Sequence, residues 1–430
     1  MKTVNILAVT FLCASVSDAG DWSRFRGPDG SGVIQGPELP ASWSSKSNLK
    51  WRTPLPGKGV SSPIVVGNRV YLTCYTGYGL DPEKPGKVDE LVRHLIAFDR
   101  LTGEEVWRTS VKSMAEEDPY KGFITQHGYA SASPVSDGEH VFVIFGKSGL
   151  FAFDQSGKQV WRTELGTKSD PARWGDSASP ILVGDTLVVD AGVLGNHVVG
   201  IDKKTGDKRW SIEDPSFTNS WATPSVLRVD GKTQVLVHVP KKVMALEPKS
   251  GDVIWSATSP LNDATCGGIV TKGERAYLMG SREGHGMAID CTGSGDVSES
   301  HVKWNKRIRS GIATPVVVGE NMYWSSGGIF FAADLKTGEY KYRERLPRLG
   351  ESAGGFPNGD YSSPIAVGNK IVQFTRNGES YVIEAGDEFK IASHNAPFED
   401  DDSAFSATPA ASNGELFMRS ESFLYCIAGK

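Results

Sequence analysis

Apolar and polar positions in this chain fall into short runs of about five residues, not into helical periods. The pattern is complete between Ser131 and Leu165. There Ser133-Pro134-Val135 leads to a turn at Asp137-Gly138, Val141 to Phe145 and Gly149 to Phe153 run apolar, and Ser156-Gly157 turns the chain into Gln159 to Thr163. β-branched and aromatic residues suit a pleated surface, and Gly or Asp accepts the backbone angles of tight hairpins, so the stretch predicts four antiparallel strands. The unit recurs. A Ser/Thr-Pro opening stands at Pro63, Pro134, Pro180, Pro224, Pro315, Pro364 and Pro409, with Gly268 standing in once, and a glycine turn follows at Gly67, Gly138, Gly184, Gly231, Gly273, Gly319, Gly368 and Gly414. Both markers count eight units with a period of roughly 45 residues. Only the first interval is long, and its excess lies in two polar, loop-like insertions over 77–92 and 112–126.

A third marker closes each unit. The segment from Ala97 to Trp107 fits A-x-D-x-x-T-G-x-x-x-W in full, and its counterparts end at Trp161, Trp210, Trp255, Trp304 and Tyr342, with Ile391 expected at that place in the seventh unit. Asp ends the third strand and accepts bonds from turn amides, Gly takes the left-handed angle, and the fourth strand aims a large aromatic at the neighbouring unit. Four-stranded units that cannot bury both faces alone pack radially, so the chain is expected to be all-β, an eight-bladed propeller of antiparallel blades. The last unit has only three strands, ending at Leu424-Tyr425-Cys426-Ile427, whereas Leu49 to Leu55 is a fourth strand with no unit before it. Trp51 is therefore expected to complete the eighth blade and remove the exposed edge. The expected division is a leader over 1–19, a strap over 20–48 and the propeller over 49–430.

Charge and composition add an address but no chemistry. A net charge of -5 on 430 residues gives no pull toward nucleic acid. Lys2, the apolar run Ile6 to Val16 and the small residues Ser17 to Ala19 read as a secretory signal peptide, too short to span a membrane, with a buried terminal element as the alternative. A periplasmic or envelope-associated protein, a monomer with no transmembrane segment, is expected. Cys13 follows Phe11-Leu12 and so matches a lipid-attachment box poorly. The remaining cysteines, Cys74, Cys266, Cys291 and Cys426, show no metal or haem spacing and are expected to be buried thiols.

The A-x-D-x-x-T-G-x-x-x-W segments resemble the tryptophan-docking motif of the pyrroloquinoline quinone (PQQ) repeat family, over about residues 21 to 430. No Trp-Asp dipeptide occurs, which argues against the WD40 type. The opening Asp21-Trp22-Ser23-Arg24-Phe25-Arg26-Gly27-Pro28-Asp29-Gly30-Ser31-Gly32 is similar to the start of BamB-like exported bacterial propellers of the planctomycete type. That resemblance implies a non-catalytic module that binds or scaffolds protein partners at the cell envelope. In the family's dehydrogenases the quinone lies between a Trp and a disulfide of adjacent cysteines, beside Ca2+. No Cys-Cys pair is present here, so neither PQQ nor Ca2+ is expected, and a PQQ/Ca2+-dependent dehydrogenase is the alternative.

No catalytic or metal constellation can be assembled from spacing. Loops before the first strands line the channel mouth of a propeller, which nominates His127, Tyr129, Arg173, Trp174, Asp176, Asn219, Trp221, Arg309, Asp360, Tyr361 and Phe405 as ligand candidates and leaves a carbohydrate- or small-ligand-binding propeller as a third reading. Plugging of the channel by the same side chains is the bland alternative. Glu399 to Asp402 reads as a solvated acidic loop, and Arg24 and Arg26 belong to a Gly/Pro-rich strap packing Trp22 and Phe25.

Overall fold

The computed structural model describes residues 20–261, 264–280, 284–348 and 361–429. The leader expected over 1–19 and the candidate Asp360 lie outside them. The described chain forms eight sheets whose strands run in sequence order from the innermost outward, and each sheet is one blade. Blade two, for example, holds Val135–Ser136, His140–Ile144, Leu150–Asp154 and Gln159–Thr163. Among the described residues, helical structure is confined to short segments such as Gly192–Gly195.

The ring closes as the unpaired fourth strand demands. Leu49–Pro54 pairs antiparallel with Phe423–Ala428, placing Trp51 opposite Cys426 in blade eight. Beside each docking aromatic the pairing shifts by one residue, a bulge that turns the ring toward the next blade. Trp51, Trp107, Trp161, Trp210 and Trp304 then each donate their indole N–H to a turn carbonyl of that next blade, at Arg100, Gln155, Lys203, Pro248 and Leu335, over 2.9–3.0 Å. The motif glycine makes room for the indole: a Cβ on Gly206, where φ is +78°, would lie 2.8 Å from the Trp161 ring.

Three interfaces depart from this scheme. In blade six Tyr342 stands at the docking place, buried against Phe330 and Phe389, and its hydroxyl has no hydrogen-bond partner among the described residues. Trp255 shares a buried cluster with blade five but does not bond to it directly; its indole N–H donates to Gln234 Oε1 at 3.0 Å, and Gln234 Nε2 donates to the Cys291 carbonyl at 3.4 Å, so an amide relays the hydrogen bond. The long turn of the fifth unit supplies the reason, because its Gly295–Asp296 segment adds in parallel to the outer edge of blade four and covers Trp255 completely. In blade seven the expected docking residue is corrected. The bulge sets Ser393 opposite Val382, where the other blades carry the aromatic, and turns Ile391 back toward blade six. The strap compensates: Trp43, 4 % exposed, packs on Phe374 and donates its backbone N–H to Asn395, while neighbouring Pro37 lies against Gly414 of blade eight.

A second circle lies inside the first. The Ser62 N–H donates to the Ser133 hydroxyl, Ser133 to Ser179 and Ser179 to Thr223; then Gly268 donates to Thr314, Thr314 to Ser363, Ser363 to Thr408, and Thr408 back to Ser62, all at 2.8–3.0 Å. Each residue before a strand-opening proline thus bolts its blade to the next through a side-chain acceptor for a backbone donor. Only the step from Thr223 to Gly268 lacks a hydroxyl, because glycine carries none.

Candidate functional site

The strap decides the shape of the channel. Trp22, fully buried, exchanges backbone bonds with Val65 of blade one, and the Ser23 carbonyl accepts from Ser136 of blade two. Arg26 reaches the far side of the ring, donating to the carbonyls of Thr314, Pro315 and Pro364. Between these anchors Phe25 enters the channel wall. The strap therefore crosses the axis and closes one end, and its next segment, Val33–Ile34, adds in parallel to Ile365–Val367 of blade seven. Burial without a carboxylate in hydrogen-bond reach lowers the Arg24 and Arg26 guanidinium pKa values to about 10 and about 9, despite the nearby charge of Asp29.

What remains is a blind cup of about 710 Å³. Its waist is the hydroxyl circle, and at its mouth it carries His127, Trp174, Trp221, Arg309 and Tyr361, five of the residues nominated from sequence. The insertion after blade one supplies Phe123 and His127, the loop before blade three supplies Trp174, and the loop before blade four supplies Trp221. Their rings form one stack, with centroids 4.9 Å apart for Phe123–Trp174 and 5.0 Å for Trp174–Trp221. The Trp221 N–H donates to the Gly175 carbonyl at 2.6 Å and fixes its end of the stack. His127 bonds through Nδ1 to the Ser131 hydroxyl at 2.7 Å, and burial depresses its pKa to about 4, so it is neutral at pH 7.

Six nominated residues stand apart. Tyr129 and Asp176 sit in a separate small buried pocket with Arg93, Glu117 and Lys147. Arg93 pairs there with Glu117 at 2.7 Å and bonds to the Tyr129 carbonyl, while burial, opposed by Arg93, raises the Asp176 carboxyl to about 6. This ionic cluster clamps the blade-one insertion. Arg173 points to solvent from a turn with φ of 54°, Asn219 accepts a backbone bond from Thr265, and Phe405 is buried against Tyr425, none of them on the cup. Asp360, the sixth, lies outside the described residues. Sequence reasoning missed Phe25, Arg307, Arg343 and the hydroxyl circle, all of which line the cup. The recurrent Ser/Thr before Pro was the available signal for the circle, read only as a strand marker.

The donor set of the cup is one-sided. Among the described lining residues there are three arginines, many hydroxyls and no carboxylate. A hard divalent cation wants carboxylate oxygens, so the described lining does not fit a Ca2+ site. Nor does it offer a disulfide: the four described cysteines form none, three being buried and Cys266 half-buried at the cup wall. Elsewhere, Asp137, Glu139 and His140 approach one another, but Asp137 already pairs with Lys203 at 2.9 Å. The acidic loop is not wholly solvated, since Asp401 is buried and accepts from the Tyr425 hydroxyl at 2.6 Å. No described helix is long and apolar enough to cross a membrane.

Comparison with known proteins agrees with the fold and narrows the family. The family model described as outer membrane protein assembly factor BamB matches residues 92–343. A relative named outer membrane protein assembly factor BamB from Burkholderia pseudomallei (strain K96243) is 23% identical over 376 residues, which cover 84% of this chain and 81% of that protein. Among solved structures, BamB from Moraxella catarrhalis superposes with a TM-score of 0.61 at 15% identity, covering 89% of this chain and 97% of the other. A europium-containing methanol dehydrogenase reaches 0.65 at 11% identity, over 96% and 98% of the two chains. A quinohemoprotein alcohol dehydrogenase from Comamonas testosteroni reaches 0.65 at 12%, over 97% and 82%. Those structural likenesses carry the propeller fold. With more than half of its length matched by the family model, this chain belongs to the PQQ-like propeller family of the outer membrane protein assembly factor BamB.

Proposed function

We propose that this protein is exported and acts at the cell envelope as a non-catalytic propeller that binds or scaffolds protein partners, with no resident cofactor. The supporting observation is the family match together with a cup whose described lining holds neither a carboxylate for a cation nor a disulfide for a quinone. The fold alone does not decide between a module and a dehydrogenase, because one frame hosts many sites. Export rests on the charged, apolar and small-residue sequence of the leader.

Two measurements test this reading. The purified protein, mixed with PQQ and Ca2+, is expected to give neither a stoichiometric absorbance change nor alcohol-dependent dye reduction; turnover would overturn it. Chemical cross-linking in envelope preparations, followed by mass spectrometry, is expected to recover defined protein partners in a salt-resistant complex, with the chain beginning near Gly20. A cytosolic, unprocessed chain without partners would refute the envelope role.

A further inference from the structure

The cup has a feature that a structural plug would lack: its polar groups are left with hydrogens to give. Every hydroxyl in the inner circle accepts from the N–H of the preceding blade, and none of them donates to a protein acceptor among the described residues. A hydroxyl whose lone pair is taken in this way presents its proton to whatever occupies the axis. Seven such groups converge on one space. Ser310 and Ser406 line the cup as well, and their Oγ atoms have no hydrogen-bond partner among the described residues, but those two oxygens are themselves covered and the circle carries the donor face. Hydroxyls that line a cavity with a proton still to give suit an occupant that accepts hydrogen bonds.

Charge gives the sign of that occupant. Arg307 and Arg309 lie on the cup, and neither has an ion-pair or side-chain hydrogen-bond partner among the described residues. Arg343 joins them while lying over the Tyr340 ring at 5.2 Å. His127 is not a competing charge, and no described carboxylate faces them. The remaining wall is apolar: the Phe123–Trp174–Trp221 stack on one side, Phe25 across the closed end, and Ile312 opposite. A space of about 710 Å³ holds a ligand of drug-like size.

We propose that the cup binds a small organic anion without a metal ion, its acidic group held by Arg309 and the hydroxyl circle and its ring-shaped body laid against the aromatic stack. Arg309 is well placed to decide between occupants, since a guanidinium grips carboxylate or sulfate in a bidentate way. A neutral body of the same shape leaves the arginines and the inward hydroxyls unmatched. The site is independent of the outer rims of the blades, so it stands or falls apart from any protein partner.

The test uses the full purified chain and tryptophan fluorescence with isothermal titration calorimetry. The probes are 2-naphthoate, its neutral counterpart 2-naphthylmethanol, and glucuronate as an acidic sugar. At least one of the two anions is expected to bind one per chain, more weakly as salt rises, and at least tenfold more tightly than the neutral alcohol; which anion is preferred separates aromatic acids from acidic sugars. Arg309→Gln changes an exposed side chain that makes no bond among the described residues, so it is expected to leave the unfolding midpoint in place and weaken anion binding at least tenfold. Ser177→Phe, which fills the lining, is expected to abolish it. Binding of neither anion, equal binding of the alcohol, unaltered affinity in Arg309→Gln, or a requirement for added Ca2+ would each overturn the assignment.

Discussion

The gap in the inner circle allows the bolting argument to be tested in both directions. Gly268→Ser supplies the missing acceptor to the Thr223 N–H, which has no acceptor among the described residues. Gly268 is not in the left-handed region, so a side chain is permitted there. Its Cβ would meet Thr314 Oγ1 at 3.2 Å and Thr314 Cγ2 at 3.4 Å, which requires a shift of a few tenths of an ångström. One net hydrogen bond contributes ~1 kcal/mol, and replacing glycine restricts the unfolded chain by a further ~0.4–1 kcal/mol. Because Thr223 is half-buried and the small clash takes part of this back, the expected gain is about 1 kcal/mol. The opposite perturbation is Ser133→Ala, which strands the buried Ser62 N–H and is expected to cost ~1–2 kcal/mol. Urea unfolding of both variants at constant slope reads the difference as a midpoint shift, upward for the first and downward for the second. Two midpoints that match the wild type would show that the circle contributes nothing, and a destabilised Gly268→Ser beside a neutral Ser133→Ala would refute the reasoning outright.

Three further outcomes follow from the outer frame and its buried charges. Trp161→Ala removes an indole that bonds to Lys203 and seats on Gly206, and is expected to cost roughly 3–5 kcal/mol in unfolding free energy, with Trp161→Phe losing less than half as much. Gln234→Leu breaks the relay at both ends and leaves the Trp255 N–H buried without an acceptor, so a loss of ~1–3 kcal/mol is expected by the same measurement. Burial raises Asp190 to about 7, opposed by the Ser220 hydroxyl and the Gly192 amide. An unfolded carboxyl titrates near ~4, so between pH ~4 and 7 the folded state holds the extra proton, and this group's contribution falls as pH rises through that window. Asp190→Asn is expected to remove the decline, so its stability relative to the wild type increases from pH 4 to pH 7; a constant difference would contradict the burial argument.

Sequence was most informative where the cause is local and repeated. Turn glycines, strand-opening prolines and the docking tryptophans count the blades because hairpin geometry and indole packing impose the same residues at each copy, and the orphan strand at Leu49–Pro54 foretells its partner at Phe423–Ala428. Reading failed where one residue changes the register. A single bulge exchanges Ile391 for Ser393, which no count of residues along a strand reveals. Inter-blade roles were hidden for another reason: the partner of Ser133 is Ser179, a full repeat away, so the bond exists only once the ring is closed. Tyr129 and Asp176 looked like mouth residues because they neighbour His127 and Trp174 in sequence, yet the left-handed turns at Gly128 and Gly175, with φ of 68° and 81°, send residues two apart to different sides. The blade-one cluster of Arg93 and Glu117 claims the buried side.

The splice of Leu49–Pro54 into blade eight also has a consequence for biogenesis. Until Phe423–Ala428 has been made, that early strand has no neighbour, and the circle of hydroxyls cannot join Thr408 to Ser62. A chain emerging from the amino end therefore carries two raw sheet edges throughout its synthesis, the sort of surface that invites pairing with other chains. Its strap is likewise anchored late, since Arg26 waits for the carbonyls of Thr314 and Pro364. Loss of only the final strand would reopen the whole ring, so a premature stop near the carboxyl end should be as damaging as the loss of an interior blade.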